Sequence, residues 1–143
     1  MPKTLILIGS KSDMTYAEVC RAVLIEFGID NQIEISSAHR EPEKTDELAR
    51  SAADQGFEVI ICMAGMAAAL PGVVAARTSL PVIGVPLAAS LEGLDSLLAI
   101  AQMPSGVPVA TMGIGTAGAK NAGILAARIL AVKYPEVAAK LKK

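Results

Sequence analysis

With 13 Lys and Arg against 14 Asp and Glu over 143 residues, the chain carries a net charge of −1 and no basic run long enough to serve nucleic acid or an anionic membrane. Its length suits one domain with a substantial core, and Cys20 and Cys62 show neither CxxC spacing nor a signal-peptide pattern ahead of them, as fits reduced thiols in a cytoplasmic protein. Hydrophobic residues reach 52%, yet the two charge-free stretches, 59–76 and 96–119, are broken by Gly and Pro where a spanning helix of about 20 residues would run on, so burial within a parallel sheet and an oligomer explains the composition better.

In chain order, Lys3 to Ile8 is an apolar strand ending at Gly9, and Met14 to Phe27 a helix ended by Gly28. Asp30 to Ser36 alternates as a less covered strand would, and Pro42 to Gln55 follows as a helix ended by Gly56. Val59 to Met63, Pro81 to Val85 and Val107 to Thr111 read as further strands, with helices over Ala67 to Arg77, Gly93 to Gln102 and Ala117 to Val132. Tyr134 to Lys143 is a short tail or final helix. Strand and helix alternate throughout, and right-handed crossovers then give a three-layer, doubly wound parallel α/β domain spanning 1–143. No repeat or low-complexity segment interrupts it.

Ligands of such sheets bind beyond the carboxyl ends of the strands, so the loops there carry the chemistry. The first, "GSKSD", offers Ser10, Ser12 and Asp13 at a helix start, with hydroxyls and free N–H groups suited to a phosphate and a carboxylate suited to ribose; simple helix capping is the competing reading. The second, "ISSAHREP", holds Ser37, Arg40 and the only histidine, His39, before Pro42 at a helix's first turn. An imidazole in that layer, able to titrate near neutral pH, suits general acid/base work, although an isolated histidine is more often structural. The third, "AGMAAALPG", is built of small residues that let a planar ligand approach the backbone or simply pack helix on sheet. After the fifth strand, "GIGTAG" matches GxGxxG, but no further strand or acidic partner follows, which argues against a dinucleotide. ATP-loop, zinc and nucleophile-elbow motifs are absent from the sequence.

Taken together, "GSKSD", "SAHREP", "AGMAAALPG", "PVIGVP", "GLDSLLAIAQMPSGVPVAT" and "AGAKNAGILAARIL" occur in order over residues 3–132 and resemble the N5-carboxyaminoimidazole ribonucleotide mutase family of purine biosynthesis. The resemblance implies a flavodoxin-like subunit of a homo-octamer that moves a carboxylate from an exocyclic nitrogen to a ring carbon of a ribonucleotide, with no cofactor, metal or ATP. It implies further that Ser10, Ser12 and Asp13 hold phosphate and ribose, that Ser37 and Arg40 hold the phosphate, and that His39 shuttles the proton. Ala64, Gly65, Ala67 and Leu70 would line a dry pocket for carbon dioxide. Two positions depart from the pattern that this resemblance carries: Ala69 stands where the family usually has a second histidine, and Glu41 where it usually has threonine. Three other readings stay open: a related carboxylase using free carbon dioxide, whose third loop differs from "ALPG"; a catalytically silent nucleotide-binding or scaffold protein, to which Ala69 lends weight; and a flavin-binding protein of the same fold.

Overall fold

The computed structural model describes residues 1–142 and contains one five-stranded parallel sheet in the order β2-β1-β3-β4-β5. In chain order the elements are β1 (Lys3–Ile8), α1 (Met14–Glu26), β2 (Asp30–Ile35), α2 (Pro42–Ser51), β3 (Val59–Gly65), α3 (Leu70–Ala75), β4 (Val82–Leu87), α4 (Leu94–Ala101), β5 (Ala110–Thr111), α5 (Thr116–Ala131) and α6 (Pro135–Leu141).

The near-continuous apolar strands reflect helices on both faces of the sheet. Ile6 and Ile8 of β1, with Val59, Ile61 and Met63 of β3, pack beneath α1 and α5, while Leu5, Leu7, Ile60 and Cys62 point the other way, toward α2, α3 and α4. Ala17 and Cys20 of α1 meet a stripe of small residues on α5, Ala119, Ala122 and Ala126, in the same core. Burial pushes the Cys20 thiol up to about 12 and the Cys62 thiol higher still, so both are inert at neutral pH. Away from the strands' carboxyl ends, Tyr134 and Lys133 at the α5–α6 junction both donate to the Glu58 carboxylate just before β3. Burial alone would raise the Glu58 carboxyl, but these two donors and the lysine charge outweigh it and hold it below its usual value.

Several element ends differ from the sequence expectation. Strand pairing at β5 is confined to Ala110 and Thr111, opposite Ile83 and Gly84, rather than starting at Val107. Pro108 explains part of this, since it lacks the N–H that a ladder needs. The third helix begins at Leu70 rather than Ala67, because Met66 and Ala68 have left-handed backbones, with φ of 54° and 39°. The second ends at Ser51, where turns continue to Gly56. Residues 134–143, expected as a tail or helix, form α6 as far as Leu141, and Lys143 lies outside the described residues. The charge-free stretches are split between strands, loops and short helices, and among the described residues no helix is long and apolar enough to cross a membrane.

The glycines of "GIGTAG" serve the turn into α5. A Cβ on Gly118 would stand 1.7 Å from the Gly113 carbonyl oxygen, so the turn can close only on glycine there. None of these residues reaches the cleft described below.

Candidate active site

Strand order reverses at β1: β2 and β3 lie on opposite sides of it, which opens a crevice at the carboxyl ends of β1 and β3. Register brings those ends level: Ile8 pairs with Ile35 of β2 and with Met63 of β3. The loops that follow enclose a cleft of about 450 Å³.

Its first wall is the loop after β1. Ser10 caps a single 3-10 turn, Lys11–Asp13, that leads into α1. Its Oγ accepts from the Ser12 N–H at 3.3 Å and lies 3.0 Å from Ser12 Oγ, so two hydroxyls face the cleft side by side. Asp13 occupies the N-cap of α1 without making a side-chain cap bond, which frees its carboxylate for another partner. Partial burial pushes that carboxyl above its ordinary value, partly offset by a backbone hydrogen bond at Ser10.

The second wall carries the imidazole. Ser37 Oγ accepts from the Arg40 N–H at 3.1 Å, and Ser37 O accepts from the Glu41 N–H at 2.8 Å, closing a turn that holds Ala38, His39 and Arg40 at the mouth. Pro42 then opens α2 with its φ already set for a helix. Two bonds fasten the turn from below: the buried hydroxyls of Ser36 and Thr45 meet, and Lys44 Nζ donates to the Ile35 carbonyl. His39 and Arg40 are exposed, and the Arg40 guanidinium forms no ion pair among the described residues. Glu41 is exposed and does not line the cleft.

The loop after β3 forms the floor and the far rim. Gly65 pairs with Leu87 of β4, and a Cβ on it would sit 3.2 Å from the Leu87 carbonyl oxygen, so a larger residue would strain the edge of the sheet. Ala68 N–H donates to Gly65 O at 2.9 Å, turning the chain sharply before α3. Ala64 and Leu70 are buried, Gly65 and Ala69 are half-buried, and Ala67 is exposed.

All ten residues singled out from the sequence line this one cleft: Ser10, Ser12, Asp13, Ser37, His39, Arg40, Ala64, Gly65, Ala67 and Leu70. Met66, Ala68 and Ala89, the last from the loop after β4, also line it without having been singled out. Ala89 carries no functional group, so only its position reveals it, whereas a long side chain among alanines was a visible signal at Met66. Hydroxyls, a carboxylate, an imidazole and a guanidinium therefore face a floor of small apolar residues, an arrangement able to bind a phosphorylated, flat molecule and move a proton on it. No cluster of three His, Cys, Asp or Glu side chains suited to a metal occurs among the described residues.

A family model described as AIR carboxylase matches residues 3–143. The N5-carboxyaminoimidazole ribonucleotide mutase of Pyrococcus abyssi is 55% identical over 144 residues, covering 100% of this chain and 82% of that protein. Its counterpart in Thermotoga maritima is 56% identical, over 100% and 83% of the two chains. Among solved structures, Treponema denticola PurE superposes with a TM-score of 0.86 at 33% identity, covering 98% of this chain and 87% of that one. A 3-dehydroquinate dehydratase-like protein from Bifidobacterium longum, at 16% identity and a TM-score of 0.61 over 92% and 99% of the chains, shares the fold alone.

Proposed function

The chain belongs to the AIR carboxylase family, and from that premise we propose that it is an N5-carboxyaminoimidazole ribonucleotide mutase of purine biosynthesis. The observation that carries the reading is the convergence of one imidazole with three serine hydroxyls, a carboxylate and a guanidinium on a single cleft floored by small apolar residues. Ser10, Ser12, Ser37 and Arg40 supply hydroxyl, N–H and guanidinium donors for the phosphate, and the uncapped Asp13 carboxylate accepts from ribose hydroxyls.

With the nucleotide so held, the reaction needs two proton transfers. In the first, the carbamate carbon–nitrogen bond breaks, its electron pair returns to nitrogen, and His39 gives that nitrogen a proton as carbon dioxide leaves. In the second, the ring carbon attacks the trapped carbon dioxide, and the neutral imidazole takes the proton from that carbon. The histidine ends as it began, so one imidazole serves both steps. Buried Ala64 and Leu70 offer the carbon dioxide an apolar floor without a competing nucleophile.

Turnover of the carbamate nucleotide by the purified chain tests the reading. Formation of the ring-carboxylated nucleotide supports it. Ring-carbon carboxylation of the free aminoimidazole ribonucleotide, with bicarbonate supplied as the source of carbon dioxide and no use of the carbamate, would place the chain with the direct carboxylases. Nucleotide binding without turnover would favour a silent binder, the second reading, which Ala69 motivates.

The same reading includes a cytoplasmic, single-domain subunit of a homo-octamer. Exposed Leu91, Leu94 and Leu98 lie on and beside α4, and Ile114 adds to them, its Cγ2 only 2.7 Å from where a Cβ on Gly93 would be. Apolar surface of this kind supports a covering neighbour.

A further inference from the structure

We propose that Met66 is a specificity-determining residue of this site, its side chain folding over the reacting end of the bound nucleotide to keep water from the carbon dioxide formed between the two steps. The proposal rests on the mutase reading and deepens it.

From Ala64 to Ala69 every residue but Met66 is glycine or alanine. Met66 lines the cleft, yet it is 58% exposed, while Ala64 and Ala68, two residues away on either side, are buried. Its backbone lies in the left-handed region, at φ 54°, which suits glycine and disfavours a residue with a side chain. The free chain thus holds two unfavourable features at one residue, a strained backbone and a wetted thioether. Glycine would remove both. Strain of this sort collects where a ligand gives it a use.

The surrounding turn prevents the loop from relaxing. Gly65 is packed against the Leu87 carbonyl, and the Ala68 N–H is bonded to Gly65 O, so the Met66 backbone is held at the cleft edge, while a methionine side chain has three rotatable bonds with which to reach across it. The adjoining rim is open: Ala67 is exposed, and Ala69 presents only a methyl group. A swinging thioether can cover that opening, and it brings no nucleophile or proton donor to the carbon dioxide.

The test compares Met66→Gly and Met66→Leu with the parent, reading thermal midpoint and the partition of consumed carbamate nucleotide between ring-carboxylated product and free amine, above an enzyme-free control. Met66→Gly should melt no lower than the parent and release at least about threefold more free amine per turnover, while Met66→Leu should partition as the parent does. A purely conformational role predicts a stabilised Met66→Gly with unchanged partition, which overturns the proposal. A second measurement does not need turnover: oxidation of Met66 by hydrogen peroxide, followed by peptide mass spectrometry, should slow at least about threefold under saturating aminoimidazole ribonucleotide. Unslowed oxidation with the nucleotide bound also overturns the proposal. Protection in a parent that binds but never turns over would uphold the cover and reject the mutase reading alone.

Discussion

The hydroxyls of Ser36 and Thr45 lie 2.6 Å apart, both fully buried, and their hydrogen bond joins the end of β2 to the second turn of α2. Between them the chain makes the excursion that carries Ser37, His39 and Arg40, so the bond closes the base of that loop. Thr45→Val keeps the shape but leaves the Ser36 hydroxyl buried without its partner, and should lower stability by about 1–3 kcal/mol. Replacing both, as Ser36→Ala with Thr45→Val, removes the orphaned group and should cost less than the single change. Urea titrations of the three proteins check this, and a double variant less stable than Thr45→Val would show that the pair is not coupled as the geometry requires.

Replacing His39 by Asn leaves the Ser37–Arg40 bond in place, because that bond uses the backbone of Arg40 and not the imidazole. Folding and nucleotide affinity should therefore persist while turnover falls at least about 100-fold, the lower end for a lost general acid/base. Turnover within about tenfold of the parent would take His39 out of the mechanism.

Asp13→Asn should separate stability from binding. Burial raises the Asp13 carboxyl in the folded chain, so between the unfolded value, near 4, and the raised one the folded state binds more protons and loses stability as pH rises. Asparagine cannot ionise, and no cap bond is lost with the carboxylate. The variant should exceed the parent in stability at pH 7 by more than at pH 3, while binding the nucleotide more weakly. Denaturant titrations at both pH values, with calorimetry for affinity, decide it; an equal stability difference at the two would contradict the burial argument.

Ala69→His tests the sharpest departure from the family pattern. Ala69 is half-buried at the N-cap of α3, lines the cleft, and has an ordinary φ of −73°, so an imidazole needs no backbone change. A small folding effect and a faster turnover of the carbamate nucleotide are expected if a second imidazole helps orient the carboxylate or the shuttle. Turnover unchanged or lowered would mean that Ala69 is no handicap and that His39 and the backbone of residues 64–68 suffice.

Light scattering should give a homo-oligomer, at eight times the 14.7 kDa chain mass for the octamer. Charging the patch with Leu94→Glu and Leu98→Glu should shift the mass downward, since two charges would be buried against a neighbour. A monomeric parent would remove both the octamer and the explanation offered for the exposed leucines.

The order of strands and helices was legible because it depends on local periodicity, two along a strand and 3.6 along a helix, and on breakers such as Gly28 and Gly56. Ser10, Ser12, Asp13, Ser37, His39 and Arg40 were legible for a related reason: their groups announce chemistry and they follow strand ends. Element ends were less so. The helix expected from Ala67 begins at Leu70 because good helix-forming alanines yield there to a turn that Gly65 makes against β4. The fifth strand shrank because pairing with Ile83 and Gly84, not its own pattern, sets its length.

By itself, then, the sequence determined which residues could do chemistry and in what succession the elements run. Tertiary structure decided that β1 lies between β2 and β3, which opens the crevice and brings loops from residues 10, 39 and 66 to one place. It also decided that Ala89 joins them, that Met66 is held in a left-handed backbone, and that the rim at Ala67 is open. The physical reason is range: periodicity and capping act within a few residues, whereas strand order, register and close approach of backbones are settled by contacts between segments far apart in the chain.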